Sequence, residues 1–543
     1  MISYTTHFTP SVASGTPSSS SVEFGVDTDQ DPVFLSGQVK HSATFARLML
    51  TLGRVVRMDD TPTPRDHSAY QAWVRGEYVK ELQATHGHLA PQIESLRARQ
   101  AQLRDTSAKL RKALDASGFS QARSNFWSWV RLYNREAWLK YDPIVSVQEE
   151  ATFFEAFSID ESAYARVQLP HSGMYFDQDP VPGTTNIDFS VSLEREFART
   201  RSYRPLHLGV GTQRVSVDTG VSSAVERKIE LPESWVRGLV EVQAALALAP
   251  VSFTVSAAAL AEVLARLESQ REKEGPRSLL FDLTPGQPPQ ITIEPWGDVF
   301  TGGKDPYQDD EPRRIRVWGR RRLRVLTDLL PYADAVTVRL LDDGMPSFWT
   351  LTIDDITLTV GLSGWTTQDW AGKARFSAFV PASAADPDTA QKALELLRER
   401  LTLRPDDLTR ALNVAPGESR ALLQRLCVSG TAMYDPETGT YRHRALFPQV
   451  DLSDPTDTGR EERQGVELHR SGALRVVSDE FVDGERVLTT HTQLDGRTVN
   501  TTLRRNVDGR VTSAECDCSH FQYHKMRQGP CRHLVATSMA GGM

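Results

Sequence analysis

Three of the four cysteines lie close together near the C-terminal end of the chain, with Cys516, Cys518 and Cys531 followed by His533. A Cys-x-Cys pair and a Cys-x-His pair, twelve residues apart, supply the sulfur and nitrogen donors that Zn²⁺ binds in tetrahedral structural sites. The fourth cysteine, Cys427, stands alone in an apolar helical pattern and is expected to pack in a core. The spacing therefore predicts one closed structural zinc site in a reducing compartment, and not a disulfide framework.

The segments around these ligands predict a small fold that brings them together. Two alternating runs with the turn Val507-Asp508-Gly509 between them predict a hairpin that delivers Cys516 and Cys518. The step Gly529-Pro530 precedes a helix that carries the second ligand pair. A hairpin followed by a helix is thus expected to surround the metal.

Two other histidines, His520 and His524, lie in the loop between the two ligand pairs. Either of them could replace His533 as the nitrogen ligand. Because the Cys-x-His pair already completes a tetrahedral set, we expect both to be exposed loop residues.

The full pattern includes Gly-Pro before the third cysteine and a leucine after the histidine, and it resembles the SWIM zinc finger. The resemblance covers the C-terminal end of the chain, within a predicted module of β-hairpins and zinc finger over residues 462–543. It implies a strand-strand-helix fold around one structural zinc, and a role in binding DNA or protein. It implies no chemistry by the metal.

Residues 387–448 have the order of a winged helix-turn-helix domain, with three short helices followed by a hairpin around Asp435-Pro436. Between Arg404 and Arg444, six arginines minus five acids leave a net charge of only +1, so DNA binding and protein docking both remain open for this module. The candidate nucleic-acid contacts of this module and the zinc finger are Arg420, Arg425, Arg442, Arg444, Lys525, Arg527 and Arg532.

In the first two-thirds of the chain, the sequence predicts a Ser-rich disordered tail over 1–30. A mixed domain over 31–200, with a helical hairpin at about 69–141, is predicted to follow it. Residues 201–380 predict an α+β domain with an internal duplication of helix-strand-strand units. An aromatic cluster in the hairpin could bind a partner or hold the hairpin together. Its members are Trp127, Trp129, Tyr133, Trp138 and Tyr141.

Seven arginines between Arg313 and Arg324 concentrate positive charge in an otherwise acidic chain with a formal net charge of -8. They could form an anion-binding or nucleic-acid face. Alternatively, they form the solvated side of a helix opposite the acidic run 305–311. The overall charge argues against coating nucleic acid, so any such contact would be local.

Several function classes are not supported by the sequence. The motifs GxxxxGK[ST], HExxH and GxSxG are absent, so no catalytic constellation is predicted. The chain has no apolar run of the ~20 residues that a membrane helix needs, and no basic-then-apolar secretory signal, so a cytoplasmic location is expected.

The sequence thus predicts an α+β multidomain protein with an antiparallel strand-rich middle, a winged helix and a C-terminal ββα zinc finger. The order of its segments resembles bacterial SWIM zinc-finger proteins associated with MoxR-type AAA+ ATPases and von Willebrand factor A proteins. That resemblance implies an accessory role in an ATPase-centred system. We therefore predict a non-catalytic zinc-binding adaptor that binds protein partners through its winged-helix and SWIM modules. The alternative hypothesis is a DNA-binding regulator.

Overall fold

The computed structural model describes most of the chain, in the residue ranges 12–15, 20–24, 33–58, 143–186, 191–203, 205–211, 233–248, 250–271, 277–341, 346–363, 370, 376–379, 387–444, 446, 460–482, 484–494, 497–505, 511–526 and 529–540. The chain divides into two compact units, and the described residues all belong to the unit formed by Met1–Asp59 and Tyr141–Met543. The helical hairpin predicted at about 69–141 and its aromatic cluster lie outside the described residues.

The strands are numbered in chain order. They are β1 (Val12–Gly15), β2 (Ser20–Phe24), β3 (Leu35–Val39), β4 (Ile144–Val147), β5 (Ala151–Phe157), β6 (Ala163–Pro170), β7 (Met174–Phe176), β8 (Gly183–Asn186), β9 (Leu206–Val210), β10 (Val251–Ser256), β11 (Leu279–Leu283), β12 (Gln290–Ile293), β13 (Asp298–Thr301), β14 (Arg313–Val317), β15 (Ala335–Leu340), β16 (Ser347–Ile353), β17 (Ile356–Leu362), β18 (Thr402–Leu403), β19 (Ala432–Asp435), β20 (Thr440–His443), β21 (Leu474–Val482), β22 (Glu485–Leu494), β23 (Arg497–Arg505) and β24 (Val511–Cys516).

The α-helices are α1 (Ser42–Val56), α2 (Val191–Arg199), α3 (Glu233–Leu246), α4 (Ala257–Ser269), α5 (Pro387–Arg400), α6 (Pro405–Leu412), α7 (Pro416–Val428), α8 (Arg460–Arg470), α9 (Ser519–His524) and α10 (Arg532–Ala540). Short 3₁₀ helices lie at His171–Gly173, Arg320–Leu326, Leu330–Tyr332 and Phe376–Phe379. Among the helices of the described ranges, none has both the length and the apolar character needed to cross a bilayer.

An antiparallel sheet of eight strands organises the described unit, in the order β10-β15-β16-β17-β6-β5-β4-β8. Strands β6 and β17 pair from Ala163↔Leu362 to Thr357↔Gln168, so the sheet is continuous across the predicted boundary between 31–200 and 201–380. That boundary is corrected, because the two segments share one sheet and one core. Apolar alternation identifies each strand but does not say which strand lies beside it.

Helix α1 packs against this sheet and is buried around most of its circumference. Eleven of its fifteen residues are buried, which agrees with its nearly continuous apolar sequence. The Phe45 ring lies 5.6 Å from the Phe154 ring on β5 and 6.0 Å from the Phe197 ring on α2. Strand β3 and helix α1 are therefore a central element of the fold.

A five-stranded sheet with the order β1-β2-β9-β3-β7 includes residues from the predicted disordered tail. Strand β2 pairs in parallel with β9, from Ser20↔Leu206 to Phe24↔Val210. The disorder predicted for 1–30 is therefore wrong for the strands within it. Serine-rich composition favours disorder, but the alternation of Val22 and Phe24 is enough for a strand once a partner edge is present.

The elements of the predicted internal duplication exist, but they do not repeat one unit. The first predicted unit, a helix at 257–267 with strands at 279–283 and 290–295, corresponds to α4, β11 and β12, and these strands lie in a separate four-stranded sheet, β13-β12-β11-β14. The second predicted unit, a helix at 321–330 with strands at 336–341 and 348–353, has a 3₁₀ helix at Arg320–Leu326 instead, and its strands β15 and β16 lie in the eight-stranded sheet. Similar element order here leads to different tertiary neighbours.

The arginines between Arg313 and Arg324 mostly have partners within the protein. Their ion pairs include Arg313–Glu311, Arg314–Asp282, Arg316–Glu294 and Arg322–Asp160. Arg320 is also buried, and its side chain donates to the carbonyl oxygen of Ser278 at 2.7 Å. These pairs favour the structural interpretation of the arginine run, with acidic partners that lie mostly outside the predicted run 305–311.

Residues 387–443 contain the elements α5, β18, α6, α7, β19 and β20 in that order. The three strands form one small antiparallel sheet in the order β18-β20-β19. Cys427, on α7, is 1% exposed, and burial raises the pKa of its thiol to about 12. Its predicted place in a core is confirmed.

Candidate metal centre

The four predicted ligands reach one point from three consecutive elements. Cys516 is the last residue of β24, and Cys518 caps the N-terminus of α9, where its sulfur accepts a hydrogen bond from the Phe521 amide at 3.4 Å. Cys531 immediately precedes α10, and His533 lies in its first turn. The chain turns into α9 after Asp517, so Cys518 lies beyond the end of β24.

The donor atoms of Cys516, Cys518, Cys531 and His533 all lie within 4.8 Å of one another. Zn–S bonds of about 2.3 Å place the sulfurs of a tetrahedral zinc site about 3.8 Å apart, so the cluster has the right dimensions for one zinc ion. Among the described residues, these four form the only group of three or more histidine, cysteine or acidic side chains close enough to hold a metal ion.

Three of the four cluster residues are buried, and the fourth is half-buried. Cys531 is 0% exposed and His533 is 1% exposed, while Cys516 is buried and Cys518 is half-buried. Within the described residues, the ring nitrogens of His533 have no hydrogen-bond partner outside the cysteine cluster. A buried imidazole without such partners carries a large desolvation cost, and a metal bond would remove it.

The ionisation of the three thiols depends on whether a cation lies among them. Hydrogen bonds with Cys516 and Cys531 lower the pKa of Cys518, whereas the hydrogen bond to Cys518 raises the pKa of Cys516 to about 11. Burial raises the pKa of Cys531. The cluster by itself therefore favours one thiolate, and three adjacent thiolates require a positive charge between them.

Four protein ligands in a buried cluster define a structural zinc finger of the Cys3His type, in which the metal would hold the chain together and have no position open for a substrate. Residues 491–541 match the family model described as SWIM zinc finger. The C-terminal segment is therefore a SWIM zinc finger with Cys516, Cys518, Cys531 and His533 as the residues that would bind one zinc ion.

Comparisons of the whole chain add little to this assignment. No curated protein matches the chain. Among solved structures, the chain is similar to the crystal structure of proliferating cellular nuclear antigen from Entamoeba histolytica, with 12% identity over 41% of this chain and 89% of that chain. The TM-score of 0.28 is too low to establish a shared fold.

Replacing His533 with alanine should abolish zinc binding, whereas replacing His520 with alanine should leave it unchanged. The reason is that His533 lies in the donor cluster and His520 does not. Zinc content per chain, measured by mass spectrometry on freshly purified protein, separates the two variants. Retention of zinc by His533→Ala together with its loss from His520→Ala would show that His520, which lies half-buried on α9 and not in an exposed loop as predicted, is the true ligand.

Two of the candidate nucleic-acid contacts lie inside the protein. The guanidinium of Arg444 pairs with the Glu155 carboxylate on β5 at 2.5 Å, and both side chains are 0% exposed. Arg442 donates to Asp435 at 3.2 Å and is 2% exposed. Because a buried, paired guanidinium cannot reach a phosphate, the assignment of Arg442 and Arg444 as nucleic-acid contacts is corrected. Arg444 pairs with β5, and Arg442 lies over the Phe153 ring of the same strand, so both link the small sheet to the eight-stranded sheet.

The remaining candidates have mixed environments. Arg420 and Arg425 on α7 are half-buried and engaged in interactions within the protein. Lys525 lies over the Phe521 ring, with Nζ 5.3 Å from the ring centroid. Arg532 is half-buried and donates to Gln464, and Arg527 lies outside the described residues.

Helix α8 packs along α10 from just outside the SWIM match and is not among the elements predicted from the sequence. Its Gly465 approaches α10 so closely that an added Cβ would lie 2.6 Å from the Val535 Cβ. The helix also supplies Glu461, which accepts a hydrogen bond from the Arg532 amide. The short polar stretch around Gly465 carries a weak apolar signal, which explains the omission.

Proposed function

We propose that this protein is a non-catalytic, zinc-stabilised adaptor that binds other proteins through strand β21 of its zinc-finger sheet. The sheet has the order β21-β22-β23-β24, so β21 is an edge strand. Seven of its nine residues are exposed. Edge strands are normally shortened, charged or covered, because free backbone groups beside apolar side chains pair with other chains.

The exposed apolar side chains of β21 carry the proposal. Val476, Val477, Phe481 and Val482 are all exposed, and Phe481 reaches 67% exposure. An exposed apolar patch on a structured strand is typical of a protein interaction site, and an extended segment of a partner can add to such an edge as a further strand.

The environment of α7 supports a protein-binding role over DNA binding. Residues 387–443 would be a winged helix, in which α7 is the helix that enters the major groove of DNA. However, residues 418–428 of α7 are all buried or half-buried, and α7 packs against α3. The Gln243 side chain on α3 also accepts a hydrogen bond from the Tyr434 amide at 2.6 Å. A helix covered in this way would have to be released before it could read DNA.

The first partners to test are a MoxR-type AAA+ ATPase and a von Willebrand factor A protein of the same organism, because the order of segments resembles proteins associated with that system. We expect Phe481→Ser to weaken binding of the full-length protein to such a partner about tenfold, since exposed aromatic anchors often contribute more than 1 kcal/mol. Titration calorimetry measures this loss. Ser478→Ala on the same strand is the matched control and should bind as the wild type does.

The DNA-binding alternative makes the opposite prediction. A regulator would bind duplex DNA with an affinity that falls steeply as salt rises, and Arg420→Ala or Arg425→Ala would weaken it. Fluorescence anisotropy at low and high salt measures that dependence. Salt-dependent DNA affinity that is lost in these variants, with no binding to the protein partners, would overturn the adaptor proposal.

A further inference from the structure

We propose that Glu461, on helix α8 and outside the SWIM match, is a positioning residue for the zinc ligands Cys531 and His533. Its Oε2 accepts a hydrogen bond from the backbone amide of Arg532 at 3.0 Å. Arg532 is the residue between the two ligands and the first residue of α10. Glu461 therefore holds the backbone at the point from which both ligand side chains diverge.

The bond satisfies a backbone group that the helix itself cannot. The first amides of a helix have no carbonyl partner within that helix, and their partial positive charge favours a nearby carboxylate. A carboxylate that accepts from such an amide makes a charge-assisted hydrogen bond, which is stronger than a neutral one. Glu461 would thus restrict the orientation of α10 before any metal binds.

The packing of α8 against α10 keeps Glu461 within reach. At Gly465, an added Cβ would lie 2.6 Å from the Cβ of Val535 and 2.8 Å from the carbonyl oxygen of Arg532. Glycine therefore permits a closer approach of the two helices than a larger residue would allow. The side chain of Arg532 donates to Gln464 at 3.1 Å and forms a second link across the same helix pair.

Such a contact should influence metal affinity because less conformational entropy is lost on metal binding when the backbone of the ligands is already held. Groups that orient metal ligands from outside the donor set typically change metal affinity 10–100-fold when removed. Since Glu461 contacts the backbone between the ligands and not a ligand side chain, we expect an effect near the lower end, about tenfold.

The test compares zinc affinity among full-length variants by competition with a chelator. Glu461→Ala should weaken zinc binding about tenfold, and Glu461→Gln, which keeps an acceptor without the charge, should lose less. The control is Glu467→Ala on the exposed side of the same helix, which should bind zinc as the wild type does. Equal zinc affinity of Glu461→Ala and Glu467→Ala would overturn the proposal.

Cobalt substitution separates positioning from a general loss of structure. If Glu461 positions the ligands, Co²⁺-loaded Glu461→Gln should keep the absorption bands of a tetrahedral thiolate site and release the metal faster to the chelator. The thermal unfolding of the rest of the chain should be unchanged. Lower zinc affinity in Glu461→Gln that merely follows a lower unfolding temperature of the whole chain would assign the residue a structural role and overturn the proposal.

Discussion

Replacing Cys531 with serine is expected to reduce the zinc content from one ion per chain to nearly none and to unfold the C-terminal module. Zinc binding contributes about 10–16 kcal/mol to the folding of zinc-finger peptides, and a serine hydroxyl is a poor substitute for a thiolate. The eight-stranded sheet should remain folded, because its strands and the elements packed on it lie outside the module. Metal analysis and limited proteolysis measure the two effects.

Cys427→Ala is the matched control for this experiment. Cys427 is also buried, but it lies on α7 and outside the donor cluster. The control should therefore keep one zinc per chain. If Cys531→Ser also keeps its zinc, or if the wild type contains none when freshly purified, the assignment of a structural zinc site is contradicted.

Replacing Glu155 with glutamine should destabilise the protein by about 3–5 kcal/mol, because it leaves the buried guanidinium of Arg444 without its charge partner. Glu155 also accepts a hydrogen bond from the Tyr164 hydroxyl at 2.5 Å, so it connects β5 and β6 with Arg444, the residue that follows β20. The shift in the urea midpoint of unfolding measures the loss. Zinc content should not change, because this pair lies apart from the metal centre.

The exposed pair Arg410–Asp407 is the control for the effect of charge burial. The Arg410 side chain is 77% exposed, so Arg410→Gln should cost at most about 1 kcal/mol. A double variant, Glu155→Gln with Arg444→Gln, should recover part of the loss by removing the unpaired charge. If Glu155→Gln costs no more than Arg410→Gln, the buried pair does not hold the small sheet in place.

The sheet β18-β20-β19 is attached to the eight-stranded sheet by several such polar contacts. Arg166 on β6 lies 3.6 Å from Asp435, and the Gln148 side chain donates to the carbonyl of His443 at 2.8 Å. These contacts join the residues that the sequence presents as a separate module to the middle of the protein.

Local features could be predicted from the sequence with good accuracy. The four zinc ligands, the hairpin β23–β24 and the helix after Gly529-Pro530 follow from spacing and turn chemistry within one short segment. The apolar helix α1 and the helices around Cys427 follow from periodicity in the same way. In each case the residues that decide the structure are close together in the chain.

Long-range pairing could not be predicted from the same patterns. Arg444 and Glu155 are 289 positions apart, and Arg532 and Glu461 are 71 positions apart. A single arginine in a sequence is equally compatible with a phosphate, a surface ion pair or a buried partner. The Arg442 and Arg444 prediction was wrong for that reason, since only folding revealed the carboxylates beside them.

The sequence alone determined that this chain binds zinc at its C-terminal end, because ligand type and spacing are local and few other structures use that donor set. Tertiary structure decided which surfaces remain available. Helix α7 is covered by α3, and Arg442 on β20 and Arg444 just after it are buried. Strand β21 lies at the edge of its sheet among the described strands. Burial depends on which element arrives beside another, and apolar periodicity does not identify that neighbour.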